Sequence, residues 1–348
     1  MGKWDGVKSP KILAAVRGDK QLSHSDVVDL VHAVLDDARL TSDELSDFWI
    51  VAKNSDGIPA RSIALLWYLV KQTQKAAAAD GIFNLTTAGE RVAADRICDF
   101  LKRTGSSFFP NLDRDKVGID LLMRVGNPGI MYQDHAGLCG AFAFMYSLAS
   151  DTPLTYVDFA IDLYEKGAAS IGNLDVSPSR SCRNASPPSS MSPADWLTAA
   201  SLRDSTNWWF DVDHDEKSFW NDLAAGATVG DIEDWFEQSG YIDVKSKDNT
   251  LFSLGSSDID DLNRYYNEGR RIVLSINSAM LSAAKQSENT YRHNHLVGLT
   301  SAIARTPQGV QLTLFTWGQG KYMIPQGGPL SETDFLDKLY GYVAGRPY

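Results

Sequence analysis

The apolar residues of this chain change their period along its length. In the first hundred or so residues they recur at helical spacing. Val27, Val28, Val31, Val34, Leu35 and Ala38 form one stripe; Ile63, Leu66, Trp67 and Val70, after Pro59, form another. Thr41 to Glu44 and Thr87 to Glu90 have the form of a capping box, the second opening a helix through Ala93, Ile97, Phe100 and Leu101. Four short helices predict a compact bundle. The last hundred residues instead carry short runs rich in Val, Ile, Leu, Phe or Thr, at 271–276, 295–303, 310–317 and 321–324, which read as strands. Residues 331–343 read as a closing amphipathic helix with Phe335, Leu339 and Val343 aligned. Helices first and strands later predict an α+β fold. The stretch 105–115 is the expected boundary, giving a helical N-terminal domain over 1–110, for docking or regulation, and a second domain over 111–348.

The middle of the chain is mixed. Residues 139–148 are apolar and helical in pattern. Ser192-Pro193-Ala194-Asp195 is a helix start, with a capping Ser and Pro at the first helical position. Residues 177–192 are rich in Ser and Pro and read as a surface loop exposing Cys182. Cys98 falls in a helical stripe and reads as core. Asp56-Gly57 and Asp80-Gly81 lack the ligand spacing of a calcium loop and read as turns. The acidic run 211–216 reads as a solvated loop, and the segment from Asp195-Trp196 to Trp208-Trp209 as a packed helix with a capped end.

Composition narrows the classes of function. Nine Trp, thirteen Tyr and fourteen Phe in 348 residues are enough for a sizeable core. The net charge is −11 and no run of Lys and Arg stands out, which argues against nucleic acid and against an anionic membrane surface as partners. No apolar run approaches the roughly 18–20 residues of a membrane span. Three cysteines are too few, and odd in number, for a disulfide framework, which predicts a reducing compartment of folding. The first twenty residues hold no continuous apolar stretch of the secretory kind.

Chemistry concentrates between Gln133 and Phe144. Cys139 follows a Gly-containing turn and precedes an apolar helix. The partial positive charge of a helix N-terminus there favours thiolate, the nucleophilic form. Taken alone, Cys139 reads as a small core thiol. A nucleophile needs an imidazole, and the chain has six His. His24 and His32 lie in N-terminal helices, His135 shares the turn of Cys139, and His214 sits in the acidic loop. Of His293 and His295, the latter opens an apolar strand, a rigid mount for a general base.

These residues resemble the papain-like cysteine peptidases. Gly137 two before the cysteine, Ala141-Phe142 after it and Gln133 six before it stand where that family has them, and His295 matches the family's strand histidine. The tail, with Thr316-Trp317-Gly318-Gln319-Gly320, then Tyr322 and Pro325, is more similar to YopT-type bacterial effector proteases. The resemblance covers about 133–148 and 293–345. It implies a papain-like hydrolase domain, with a nucleophile helix and an antiparallel sheet, after the small helical domain. It implies Cys139 as nucleophile, His295 as base, and Gln133 with the Cys139 amide as oxyanion donors. One departure stands out: from Leu296 to Thr333 there is no Asp and no Asn. Thr316 occupies the place of the third triad member, and Gln319 is the other residue able to orient the imidazole.

The expected reaction is cleavage of an amide bond in a protein or peptide through a thiolate–imidazolium pair and an acyl-enzyme, with no metal or organic cofactor. A glutamine deamidase, a peptidoglycan amidase and a catalytically dead binding protein are the alternatives. The resemblance further implies a bacterial effector or toxin. It would be held in the bacterial cytoplasm until delivery to a target cell without a cleaved signal, with an immunity protein or chaperone as partner.

Overall fold

The computed structural model describes residues 4–17, 21–35, 40–54, 56–79, 83–133, 137–206, 226–249, 254–282 and 294–348. The protein is mixed α+β, with an antiparallel sheet in its C-terminal part. Five helices come first: α1 Pro10–Val16, α2 His24–Val34, α3 Ser42–Lys53, α4 Ala60–Ala79 and α5 Ala88–Lys102. Reciprocal capping boxes at Ser23/Asp26, Thr41/Glu44 and Thr87/Glu90 satisfy backbone N–H groups that the first turn leaves without partners. Asp56 and Gly57 lie in a turn, with Gly57 at φ 78°. Asp80, Gly81 and Ala38 fall outside the described residues. Trp67 departs from its stripe: it is exposed and meets exposed Trp49 edge-on at 6.2 Å.

Helix α6, Arg114–Gly126, packs on α4 and α5. Gly118 lets it approach, because a Cβ there would stand 2.4 Å from Leu101 Cδ2. One apolar cluster then runs from Val7 to Val343. The boundary expected at residue 110 therefore falls between two packed helices of one core.

Next come α7 Cys139–Asp151, α8 Pro153–Lys166 and a small hairpin of β1 Ala169–Ile171 and β2 Leu174–Val176. The predicted loop 177–192 holds a short helix, α9 Arg180–Asn184. Cys182 is buried, not exposed. Asp204 accepts the Ser179 N–H and hydroxyl, which folds the segment back on the chain. Helix α10, Pro193–Asp195, starts at Ser192 as expected and passes through a π turn at Trp196–Ala200 into α11, Ser201–Thr206. Residues 207–225, with the acidic run, His214, Trp208 and Trp209, lie outside the described residues.

The C-terminal part holds α12 Val229–Gln238, α13 Ser256–Asn267 and α14 Glu332–Asp337, with strands β3 Ile242–Asp248, β4 Arg271–Asn277, β5 Asn294–Leu299, β6 Ala304–Thr306, β7 Gly309–Thr316, β8 Gln319–Ile324 and β9 Leu339–Arg346. The strand order is β3-β9-β4-β5-β7-β6, with β8 also on β7. Strand alternation sorts the side chains. Val273, Leu296, Phe315 and Val343 join the helical core, while Leu274, Val297, Leu314 and Tyr342 join a second cluster with α13 and α14.

The closing helix expected over 331–343 ends at Asp337, and the chain continues as a sheet-interior strand between β3 and β4. Two glycines decide this. A Cβ at Gly341 would stand 2.5 Å from Lys247 O, and one at Gly345 would stand 2.5 Å from Phe236 Cδ1. Tyr340, Tyr342 and Val343 favour a pleated surface, and the aligned apolar triplet mimics a helical stripe. No described helix is long and apolar enough to cross a membrane.

Candidate active site

Cys139 is the first residue of α7, and His295 is the second of β5. The helix start sits on the strand because position 140 is glycine. A Cβ there would stand 2.6 Å from Ala227 Cβ and 2.8 Å from Leu296 Cδ1. The Leu138 cap offers no side-chain bond to the first turn. The N–H groups of Leu296, Gly140 and Cys139 itself approach the thiol. The sulfur therefore lies against the amide that follows His295.

Strand β7 supplies the partner of the imidazole. His295 Nε2 lies 2.8 Å from Thr316 Oγ1, and both groups are buried. Among the described residues this is the ring's one hydrogen bond; the thiol and the imidazole do not bond directly. Thr316 pairs with Gln319 across the two-residue turn Trp317-Gly318. Both turn residues have positive φ, 47° and 74°, as a tight hairpin between twisted strands requires. A tryptophan is held in that region by its contacts. Its ring stacks on His295 at 5.3 Å and 25°, and meets Tyr322 edge-on at 6.1 Å. Gln319 is exposed at the start of β8 and makes no bond to His295.

Gln133 is half-buried. The chain leading to it is anchored twice. Tyr132 N–H donates to Asp195 Oδ2 at 3.2 Å, and the Tyr132 ring closes on Gly318, where a Cβ would lie 3.1 Å from Tyr132 Cδ2. Asp195 also takes Arg124 in a two-pronged pair, at 2.9 Å from Nε and 2.6 Å from Nη2. Asp120 lies beside this pair and accepts the Tyr68 hydroxyl at 2.9 Å. Residues 134–136, His135 among them, lie outside the described residues, as does His293. His24 is engaged by Ser62 Oγ and Leu101 O, and His32 by Asp95, which makes both structural.

Burial acts on both reactive groups. It raises the Cys139 thiol; the Leu296, Gly140 and Cys139 amides and the Arg203 charge pull the other way without cancelling it. It lowers His295 to about 4. The resting site thus holds a neutral thiol and a neutral imidazole near pH 7. Cys98 and Cys182 are more deeply buried and likewise raised. Among the described residues no three His, Cys, Asp or Glu side chains gather to hold a metal ion.

Sequence reasoning did not see Arg203 as an influence on the thiol, nor the stacking of Trp317 on the imidazole. A turn of the form Trp-Gly just after the orienting residue was the available signal for the second; the first has no local signal. In comparisons with protein-family models, curated proteins and solved structures, the chain finds no match.

Proposed function

We propose that the protein is a cysteine hydrolase of papain-like architecture that cleaves an amide bond in a protein or peptide. The observation that carries this reading is the meeting of α7 and β5: a thiol on the amide after His295, and an imidazole fixed at Nε2 by Thr316. With the Nε2–H donated to Thr316 Oγ1, Nδ1 is left unprotonated and serves as the base. The thiol rotates from the Leu296 amide toward Nδ1 as substrate enters. The Sγ–C bond forms while the thiol proton passes to Nδ1, and the carbonyl oxygen takes the negative charge. Gln133 and the Cys139 N–H hold that oxyanion. The C–N bond then breaks, and the imidazolium returns its proton to the leaving amine. Water, activated by the same imidazole, hydrolyses the thioester and frees the thiol.

Because both groups rest neutral, the ion pair forms during attack. A hydroxyl orients the imidazole but supplies no carboxylate charge to stabilise imidazolium, so the reaction leans on orientation and oxyanion binding. Gln319, the other candidate for third member, is exposed and makes no bond to the ring. The YopT-like pattern of the tail supports an effector or toxin, with an immunity protein or chaperone as partner before delivery to a target cell.

The test is mass spectrometry of a proteome and of peptidoglycan fragments incubated with wild type, Cys139→Ala and His295→Ala. New peptide termini, or a gain of about one dalton per glutamine for deamidation, are expected in wild type alone, with a loss of ~10² or more in either variant. No change in any sample, together with alkylation of Cys139 indifferent to His295→Ala, would overturn the reading.

A further inference from the structure

A cleft of about 640 Å³ opens beyond Trp317. Its walls are α4, the start of α6, the chain at Ile130 and Tyr132, the Pro- and Ser-rich segment 187–193, and the hairpin tip 317–319. Lys71 and Lys75 lie one helical turn apart on α4 and project into it from one side. Lys116 of α6 faces it with its ammonium 6.0 Å from the Tyr68 ring. No Asp or Glu lines the cleft, and among the described residues none of these three lysines is paired with a carboxylate. Arg124 at the floor is already matched by Asp195, and Asp120 beneath it is shielded by burial and the Tyr68 hydroxyl. A chain of net charge −11 thus gathers three uncompensated positive charges in one concave surface.

We propose that this cleft binds an acidic segment of the substrate polypeptide, with Asp or Glu side chains on Lys71, Lys75 and Lys116 and the backbone passing over Tyr132 and Trp317. The inference rests on the hydrolase reading for its substrate and adds the recognition chemistry. Trp317 lies between the imidazole and the cleft, stacked on His295 and lining the wall. Exposed Tyr132 and Trp317 supply an apolar track, and polar Gln72 and Gln319 line the same surface. Such a track suits a peptide, in which apolar and acidic side chains alternate, better than a uniform polyphosphate. In a concave surface walled by protein, opposite charges gain more than at an open surface, and the gain is screened by salt.

The test uses Cys139→Ala protein, which binds without turnover, and fluorescence anisotropy. The probes are a labelled Glu-rich peptide with interspersed Phe, its Gln-for-Glu counterpart, and a single-stranded oligonucleotide of equal charge. The Glu peptide is expected to bind ~10-fold or more tighter than the Gln peptide at low salt, with the difference shrinking as salt rises. Lys71→Gln, Lys75→Gln and Lys116→Gln together are expected to abolish the difference, while Lys166→Gln, remote from the cleft and paired with Asp162, leaves it intact. Equal binding of the two peptides, tighter binding of the oligonucleotide, or an unchanged triple variant would each overturn the proposal. Charge-selective binding without turnover by wild type would fail the hydrolase reading alone. Turnover without charge preference would fail the cleft alone.

Discussion

His295 is oriented by an alcohol: its Nε2 lies 2.8 Å from Thr316 Oγ1, and Trp317, the next residue, stacks on the same ring. One hairpin thus supplies both the hydrogen bond and the cover of the imidazole. The hydroxyl brings no charge to favour imidazolium, so burial alone acts on the ring and lowers its pKa to about 4.

Replacing that alcohol tests its role. Thr316→Val keeps the shape and removes the bond; it leaves a ring nitrogen without a partner, at a cost of about 1–3 kcal/mol. Activity on any substrate found should fall mainly in kcat, since the bond orients the base without touching substrate. Thr316→Asp should move the His295 titration upward from about 4, because a carboxylate favours imidazolium. NMR of the His295 ring against pH checks the direction; an unmoved titration would mean the hydroxyl does not govern the ring.

His295 also makes stability depend on pH. Its folded value is about 4, against about 6.5 unfolded. The unfolded chain therefore binds the extra proton between those values. Stability from this group is complete above about pH 6.5 and is lost as pH falls toward 4. The full effect is about 3 kcal/mol at 1.36 kcal/mol per unit. Urea unfolding of wild type and His295→Gln across pH 4 to 7 should show the wild type losing more as the medium is acidified.

Asp120 has the opposite sign. Burial raises it, Arg124 draws it down and Asp195 raises it, with a result of about 7. The native state then holds a proton that the unfolded state, near its ordinary carboxylate value, has released. Stability from this group is greatest below about pH 4 and falls as pH rises to 7. Asp120→Asn keeps an acceptor for Tyr68 and removes the titration. Between pH 5 and 8 the Tm of wild type should fall relative to that variant.

Removing Asp195 should be far worse than neutralising Asp120. Asp195→Ala removes the two-pronged partner of the buried Arg124 guanidinium, leaving it Ser192 Oγ at 3.0 Å and Asp120 at 3.9 Å, and frees the Tyr132 N–H. A buried charge stripped of its partner costs about 3–5 kcal/mol. Thermal unfolding should register that loss, and Asp195→Asn should recover part of it by keeping hydrogen bonds without the charge.

Gly140→Ala sets two effects against each other. In a helix the change gains about 0.8–1 kcal/mol of intrinsic propensity. Here the new methyl would stand 2.6 Å from Ala227 Cβ and 2.8 Å from Leu296 Cδ1, and such overpacking costs about 1–3 kcal/mol. The variant should be less stable, with Cys139 pushed off β5 and alkylated by iodoacetamide faster than in wild type. A more stable variant would mean the helix can slide without loss.

What the sequence determined by itself was local. Capping boxes at Thr41 and Thr87, the helix start at Ser192, and the strands around 271, 295, 310 and 321 follow from hydrogen bonds and side-chain periods that neighbouring residues settle among themselves. The order of Cys139, His295 and Thr316 along the chain was equally legible. The tertiary structure decided whatever depends on distant partners. It made residues 339–346 a strand, because Gly341 and Gly345 admit close neighbours and β3 and β4 offer the ladder. It buried Cys182 by folding 177–192 back onto Asp204. It set Thr316, not Gln319, on the imidazole: the Thr316 hydroxyl is buried against His295 Nε2, while Gln319, its cross-strand partner, is exposed to solvent. It also drew Lys71, Lys75 and Lys116 into one cleft, though no stretch of the chain is basic. Burial and electrostatic potential sum over groups far apart in sequence, so charge states and recognition surfaces are properties of the packed chain.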